Sequence, residues 1–141
     1  MAHFANFRLP TLVLLTVATT GCGRRSDLPK TAPVSGVLTY KQASVENAQI
    51  TFHPELEGNS GRGVTDAKGR FILSTYEMKD GAVLGKHQVT VSVMVDRASP
   101  MPTRAREALS PIPIKYANKN TSTLEIEVLD KRNKVELQLE D

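Results

Sequence analysis

Leu124-Glu125-Ile126-Glu127-Val128 and Lys134-Val135-Glu136-Leu137-Gln138-Leu139-Glu140, separated by Leu129-Asp130-Lys131-Arg132-Asn133, alternate apolar and polar residues with a period of two. In a strand successive side chains point to opposite faces, so this spacing writes one apolar and one polar face. The intervening Asp130-Lys131-Arg132-Asn133 is turn-rich and reads as the reversal that joins the two strands. Moving outward, Val89, Val91, Val93 and Val95 form an apolar stripe opposed by Gln88, Thr90, Ser92 and Met94. Phe71, Leu73 and Thr75 oppose Arg70, Ile72 and Ser74, and Ala48, Ile50 and Phe52 oppose Gln49, Thr51 and His53. Val34, Leu38 and Tyr40 share a parity with Gly36. With a short Gly61 to Thr65 segment this makes about seven strands, each with a single apolar face. Two such sheets hide those faces by packing against each other, so the pattern predicts an all-β, antiparallel β-sandwich. Phe52, Phe71, Val91 and Ile126 are expected in its core, and Ile72 on the opposite face.

Asp66-Ala67-Lys68-Gly69 sits between two of these strands, its glycine supplying the positive φ of a reversal. Gly58-Asn59-Ser60-Gly61 and Lys79-Asp80-Gly81 mark surface loops. Residues 96–121 do not fit short-turn logic: they contain Pro100, Pro102, Pro111 and Pro113, and Arg104 to Leu109 have room for a helical turn or two before Pro111. Arg97, Arg104, Arg106 and Lys115 outnumber Asp96 and Glu107 there, which makes these four basic residues the candidate contacts for an envelope protein or an anionic polymer. The competing expectation is that Ile112, Ile114 and Tyr116 cap the open end of the sandwich while the arginines stay solvated.

The N-terminal stretch carries an address. Arg8 precedes an apolar run from Leu9 to Ala18, and small residues lead into Gly21-Cys22-Gly23. The run is about half the ~20 residues a spanning helix needs. This stretch resembles the lipobox of bacterial lipoproteins, although Thr19 stands where leucine is usual. The resemblance implies cleavage before Cys22 and acylation of its thiol. Residues 1–21 are then a signal peptide, 22–33 a flexible tether and 34–141 the β domain. Gly23 after the cysteine, in place of aspartate, points to the outer membrane over the inner by the same resemblance. Cys22 is the chain's single cysteine, so no internal disulfide forms. The formal charge of +3 falls by one when Arg8 is removed. That is far from the basic excess of a nucleic-acid binder.

Val34-Ser35-Gly36-Val37-Leu38, Glu46-Asn47-Ala48-Gln49-Ile50-Thr51-Phe52 and Val64-Thr65-Asp66-Ala67-Lys68-Gly69-Arg70-Phe71 resemble the recurring pattern of carboxypeptidase regulatory-like domains. The likeness runs over roughly 34–140. With the lipobox, and with Ile114-Lys115-Tyr116 before the last strand pair, the chain is similar to small bacterial lipoproteins of that type. The resemblance implies a transthyretin-like Greek-key sandwich and a non-catalytic accessory or interaction role. Transthyretin-like enzymes that hydrolyse 5-hydroxyisourate end in Tyr-Arg-Gly-Ser, whereas this chain ends Leu139-Glu140-Asp141.

The chemical inventory agrees with a non-enzyme. His53 and His87 are the histidines beyond the signal, and no clustered ligand set accompanies them, so no metal and no cofactor is expected. No serine occupies a nucleophile elbow, and Glu55, Glu57 and Asp80 read as loop carboxylates without a cleft. No small-molecule substrate is evident. The expectation is a lipid-anchored envelope interaction module. The alternative is a carbohydrate or small-ligand module, disfavoured because the chain lacks tryptophan and scatters Tyr40, Tyr76 and Tyr116.

Overall fold

The computed structural model describes residues 27–93 and 111–141. Among them ten strands follow in chain order: β1 (Thr31–Ala32), β2 (Val34–Tyr40), β3 (Ala43–Ser44), β4 (Ala48–Pro54), β5 (Gly61–Val64), β6 (Arg70–Ile72), β7 (Ala82–Val83), β8 (Gly85–Val93), β9 (Leu124–Val128) and β10 (Asn133–Leu139). A 3₁₀ turn at Ile114–Ala117 precedes β9, and the described residues contain no α-helix.

β4 is the organising strand of one sheet, antiparallel to β5 on one side and to β8 on the other, and β9 closes that sheet at the far edge of β8. β2 organises a second sheet. β3 and β6 pair antiparallel along one side of it, at opposite ends, and β10 lies along the other side. β1 and β7 form a two-stranded third sheet. The apolar parity of each long strand points to a shared interior. Val34, Leu38, Phe71, Leu73, Leu137 and Leu139 from the β2 sheet join Ala48, Ile50, Phe52, Val89, Val91 and Val128 from the β4 sheet in one buried cluster. Phe71 is 2 % exposed and Ile72 49 %, as the alternation requires. Ile126 is half-buried and packs against the cluster from its border.

The architecture departs from the sequence reading in three places. The three additional strands, β1, β3 and β7, are two residues long, too short to carry a periodicity. One of them begins inside the stretch read as a tether, since Thr31 pairs with Val83 and Ala32 is buried. The larger difference concerns Asp130 to Asn133. This turn does not fold β9 back onto β10; it carries the chain from the β4 sheet to the β2 sheet, where β10 runs parallel to β2 from Asn133↔Val34 to Leu139↔Tyr40. Asn133 makes the crossing. Its side chain accepts from the Leu129 N–H at 3.1 Å and donates to the Leu129 and Lys131 carbonyls at 3.0 and 2.7 Å. The Leu129 N–H and the Lys131 carbonyl are thereby satisfied locally, and the Leu129 carbonyl, which also accepts from the Lys131 N–H, gains a second donor, so the turn needs no hairpin ladder.

Candidate interaction surface

The alternation that buries Leu38, Phe71 and Leu137 turns Val37, Ile72, Lys134 and Glu136 to the other face of the β2 sheet. There they line an open groove of about 980 Å³. Gly36 allows the strands to close up beneath it. A β-carbon at this position would stand 2.1 Å from the Val135 carbonyl oxygen and 2.7 Å from the Phe71 ring. Val37, Val64 and Ile72 give the groove an apolar lining, and Met78 lies at its rim, 88 % exposed.

Charged walls flank this lining. Asp66 closes the turn before β6: its carboxylate accepts from the N–H groups of Lys68 and Arg70, both at 2.9 Å, and from the Arg70 guanidinium. These bonds, led by the Arg70 backbone N–H, hold the Asp66 carboxyl below its ordinary 3.8. Lys79, Lys134 and Glu136 complete the rim. No histidine or cysteine is among the described residues that line it. An apolar strip between ionic walls favours an amphipathic ligand, which buries its apolar side and keeps its polar side wet.

The other candidates of the sequence lie elsewhere. Cys22, Arg97, Arg104 and Arg106 are outside the described residues. Lys115 is half-buried on the 3₁₀ turn, its ammonium 5.0 Å from the centre of the Tyr116 ring. Ile112 and Tyr116 are buried at 4 % exposure, while Ile114 is 55 % exposed, so two of the three proposed capping residues enter the core. The Tyr116 hydroxyl donates to the Glu140 carbonyl at 2.9 Å and accepts from the Glu140 N–H at 3.1 Å, fixing the turn to the end of β10. Asp80 is a loop anchor: its two oxygens accept from the N–H groups of Thr75, Tyr76 and Glu77 at 2.6–3.0 Å.

The two histidines part company. His53 is half-buried between Ser60 Oγ and Thr90 Oγ1, and burial, reinforced by the charges of Lys119 and Arg62, lowers it from 6.5. His87 shares the parity of the valine stripe and is buried at 1 % exposure, with Nε2 2.7 Å from the Val83 carbonyl and its ring 5.7 Å from Phe52. A carbonyl can only accept, so Nε2 is the donor of this bond, and Nδ1 has no hydrogen-bond partner among the described residues. No group of three His, Cys, Asp or Glu side chains among the described residues converges to hold a metal ion. Comparison with protein-family models, curated proteins and solved structures gives no significant match.

The groove escaped the sequence reading because its residues come from β2, β5, β6, β10 and two loops. A signal did exist in the chain: Val37 and Ile72 are apolar at positions whose parity calls for polar residues.

Proposed function

We propose that this protein is a lipid-anchored component of a bacterial cell envelope, with a β domain that acts as a non-catalytic interaction module. The observation that carries the reading is Gly21-Cys22-Gly23, placed directly after a basic residue and an apolar run too short to span a bilayer. One acyl chain gives marginal membrane binding, whereas two or three, at ~0.8 kcal/mol per buried CH₂, make detachment rare. Acylated Cys22 thus holds the domain at the membrane, in the outer membrane on the reading of Gly23. The domain itself is read as a Greek-key sandwich of the carboxypeptidase regulatory-like, transthyretin-like kind. The single core fed by both larger sheets supports this, as do the close packing over Gly36 and the Asp66 to Gly69 turn. Arg97, Arg104, Arg106 and Lys115 are the proposed contacts for an acidic partner.

Fractionation tests the anchor. Wild-type protein is expected in the membrane fraction with added acyl mass in its intact spectrum, and Cys22→Ser in the soluble fraction. Membrane-purified wild type without acyl mass would refute the reading. Co-purification from solubilised envelopes tests the contacts: replacing Arg97, Arg104 and Arg106 with serine is expected to lose partners that the wild type retains at low salt.

A further inference from the structure

Among the described residues β10 is an outermost strand, paired only to β2. Its backbone orientation follows from its two ends. Asn133 N–H donates to the Pro33 carbonyl and the Leu139 carbonyl accepts from Lys41 N–H, so the odd-numbered residues of β10 spend their backbone groups on β2. The even-numbered residues face outward. Glu140 is already satisfied on that side by the Tyr116 hydroxyl. The N–H and C=O groups of Lys134, Glu136 and Gln138 remain along the edge, which is a template for another strand.

The side chains decide which strand fits. Antiparallel pairing of β10 with itself must match outward-facing residues with outward-facing residues. A two-fold axis at Val135 sets Lys134 of each copy opposite Glu136 of the other, two ionic pairs on the exposed face. An axis at Glu136 sets two glutamates against each other. An axis at Leu137 sets Glu136 opposite Gln138, without an ionic match, and its next pair, Lys134 with Glu140, is blocked because Tyr116 holds the Glu140 backbone. β9, the edge of the other sheet, is built against self-pairing. The Glu55 N–H bond to the Lys86 carbonyl shows that even-numbered residues of β8 face β4, which leaves Glu125 and Glu127 as the outward residues of β9. Every antiparallel self-pairing of β9 therefore opposes glutamates.

We propose that the protein forms a homodimer through β10, two copies pairing antiparallel about Val135 with Lys134 and Glu136 matched across the axis. Each matched pair exchanges both backbone hydrogen bonds, and the two β2 sheets become one sheet across the dimer. The proposal is independent of the lipid anchor.

Sedimentation of the full chain in density-matched detergent, with reductant present to keep Cys22 from cross-linking, measures it. Wild type is expected to dimerise. Lys134→Glu and Glu136→Lys each turn two attractive pairs into two repulsive ones and are expected to weaken the dimer roughly tenfold or more. The double variant Lys134→Glu/Glu136→Lys restores the complementarity and the dimer. Glu136→Pro removes an outward N–H that makes no bond in its own sheet, so it is expected to abolish dimerisation with the circular dichroism unchanged. A wild type monomeric up to ~1 mM overturns the proposal. So does a dimer indifferent to the single reversals, or one that the double reversal fails to restore.

Discussion

Phe71 and Ile72 are neighbours on β6, yet the pleat sends one ring into the shared core and leaves the other side chain on the groove. Phe71→Ala removes a ring that is 2 % exposed in the shared core and packed over Gly36, and is expected to cost ~3–5 kcal/mol in denaturant melts. Ile72→Ala is expected to stay within about 0.5 kcal/mol of wild type. Equal sensitivity would show that the faces are reversed. Parity of this kind was legible in the chain because it depends on nothing beyond the strand's own period. The role of Asn133 was not, since its partners at Leu129 and Lys131 are set by a crossing that no local pattern encodes. His53 adds a pH signature. Its folded value lies below the ordinary 6.5, with burial the leading cause. The unfolded chain therefore takes up the proton first as the pH falls. The His53 contribution to stability is complete above 6.5 and declines as the pH drops through the folded-state value. In an NMR titration its imidazole is expected to titrate below 6.5, and His53→Gln to remove this part of the acid sensitivity.

At the scale of elements, the short connections explain both what was read and what was missed. The Asp66 to Gly69 turn was visible because its glycine, at φ +72°, and its aspartate follow ordinary turn chemistry. The β2–β3 hairpin was not. Its two-residue loop, Lys41-Gln42, holds both residues at positive φ, 48° and 66°, without the glycine or asparagine that such loops prefer. An L-residue there carries a penalty on the order of 1–2 kcal/mol. Gln42→Gly is expected to relieve it and raise stability by about 1 kcal/mol after the entropy of the unfolded glycine is counted. A loss of stability on that change would mean that the loop relies on the Gln42 side chain. The crossing from β9 to β10 behaves oppositely. Asn133→Ala leaves the Leu129 N–H and the Lys131 carbonyl without their side-chain partner at a position 8 % exposed, while the Leu129 carbonyl keeps the Lys131 N–H, and is expected to cost ~1–3 kcal/mol by chemical denaturation.

The whole described molecule turns on the fact that neither large sheet can keep a buried face alone. Leu38, Phe71 and Leu137 meet Ile50, Phe52 and Val91 in one cluster, and Ala32 and Ala82 of the small sheet join them. Separating the sheets would expose both apolar faces to water at a cost of about 25 cal/mol per Å². That is far beyond what pairing within one sheet of such a small domain returns, because an isolated sheet without a covered face is marginal in water. Unfolding should therefore be all-or-none. Far-UV circular dichroism reports the sheets together. With Tyr40 and Tyr76 replaced by phenylalanine, tyrosine fluorescence reports Tyr116, which is buried beside β8 and hydrogen-bonded to the end of β10, and so registers the relation between the sheets. The two probes are expected to give coincident midpoints in denaturant, and Phe71→Ala is expected to shift both by the same amount without changing the slope. An earlier tyrosine transition would show that the 3₁₀ turn and the end of β10 detach while the sheets persist. Separate midpoints within the dichroism signal would show that the sheets stand as independent units and would defeat the single-core account.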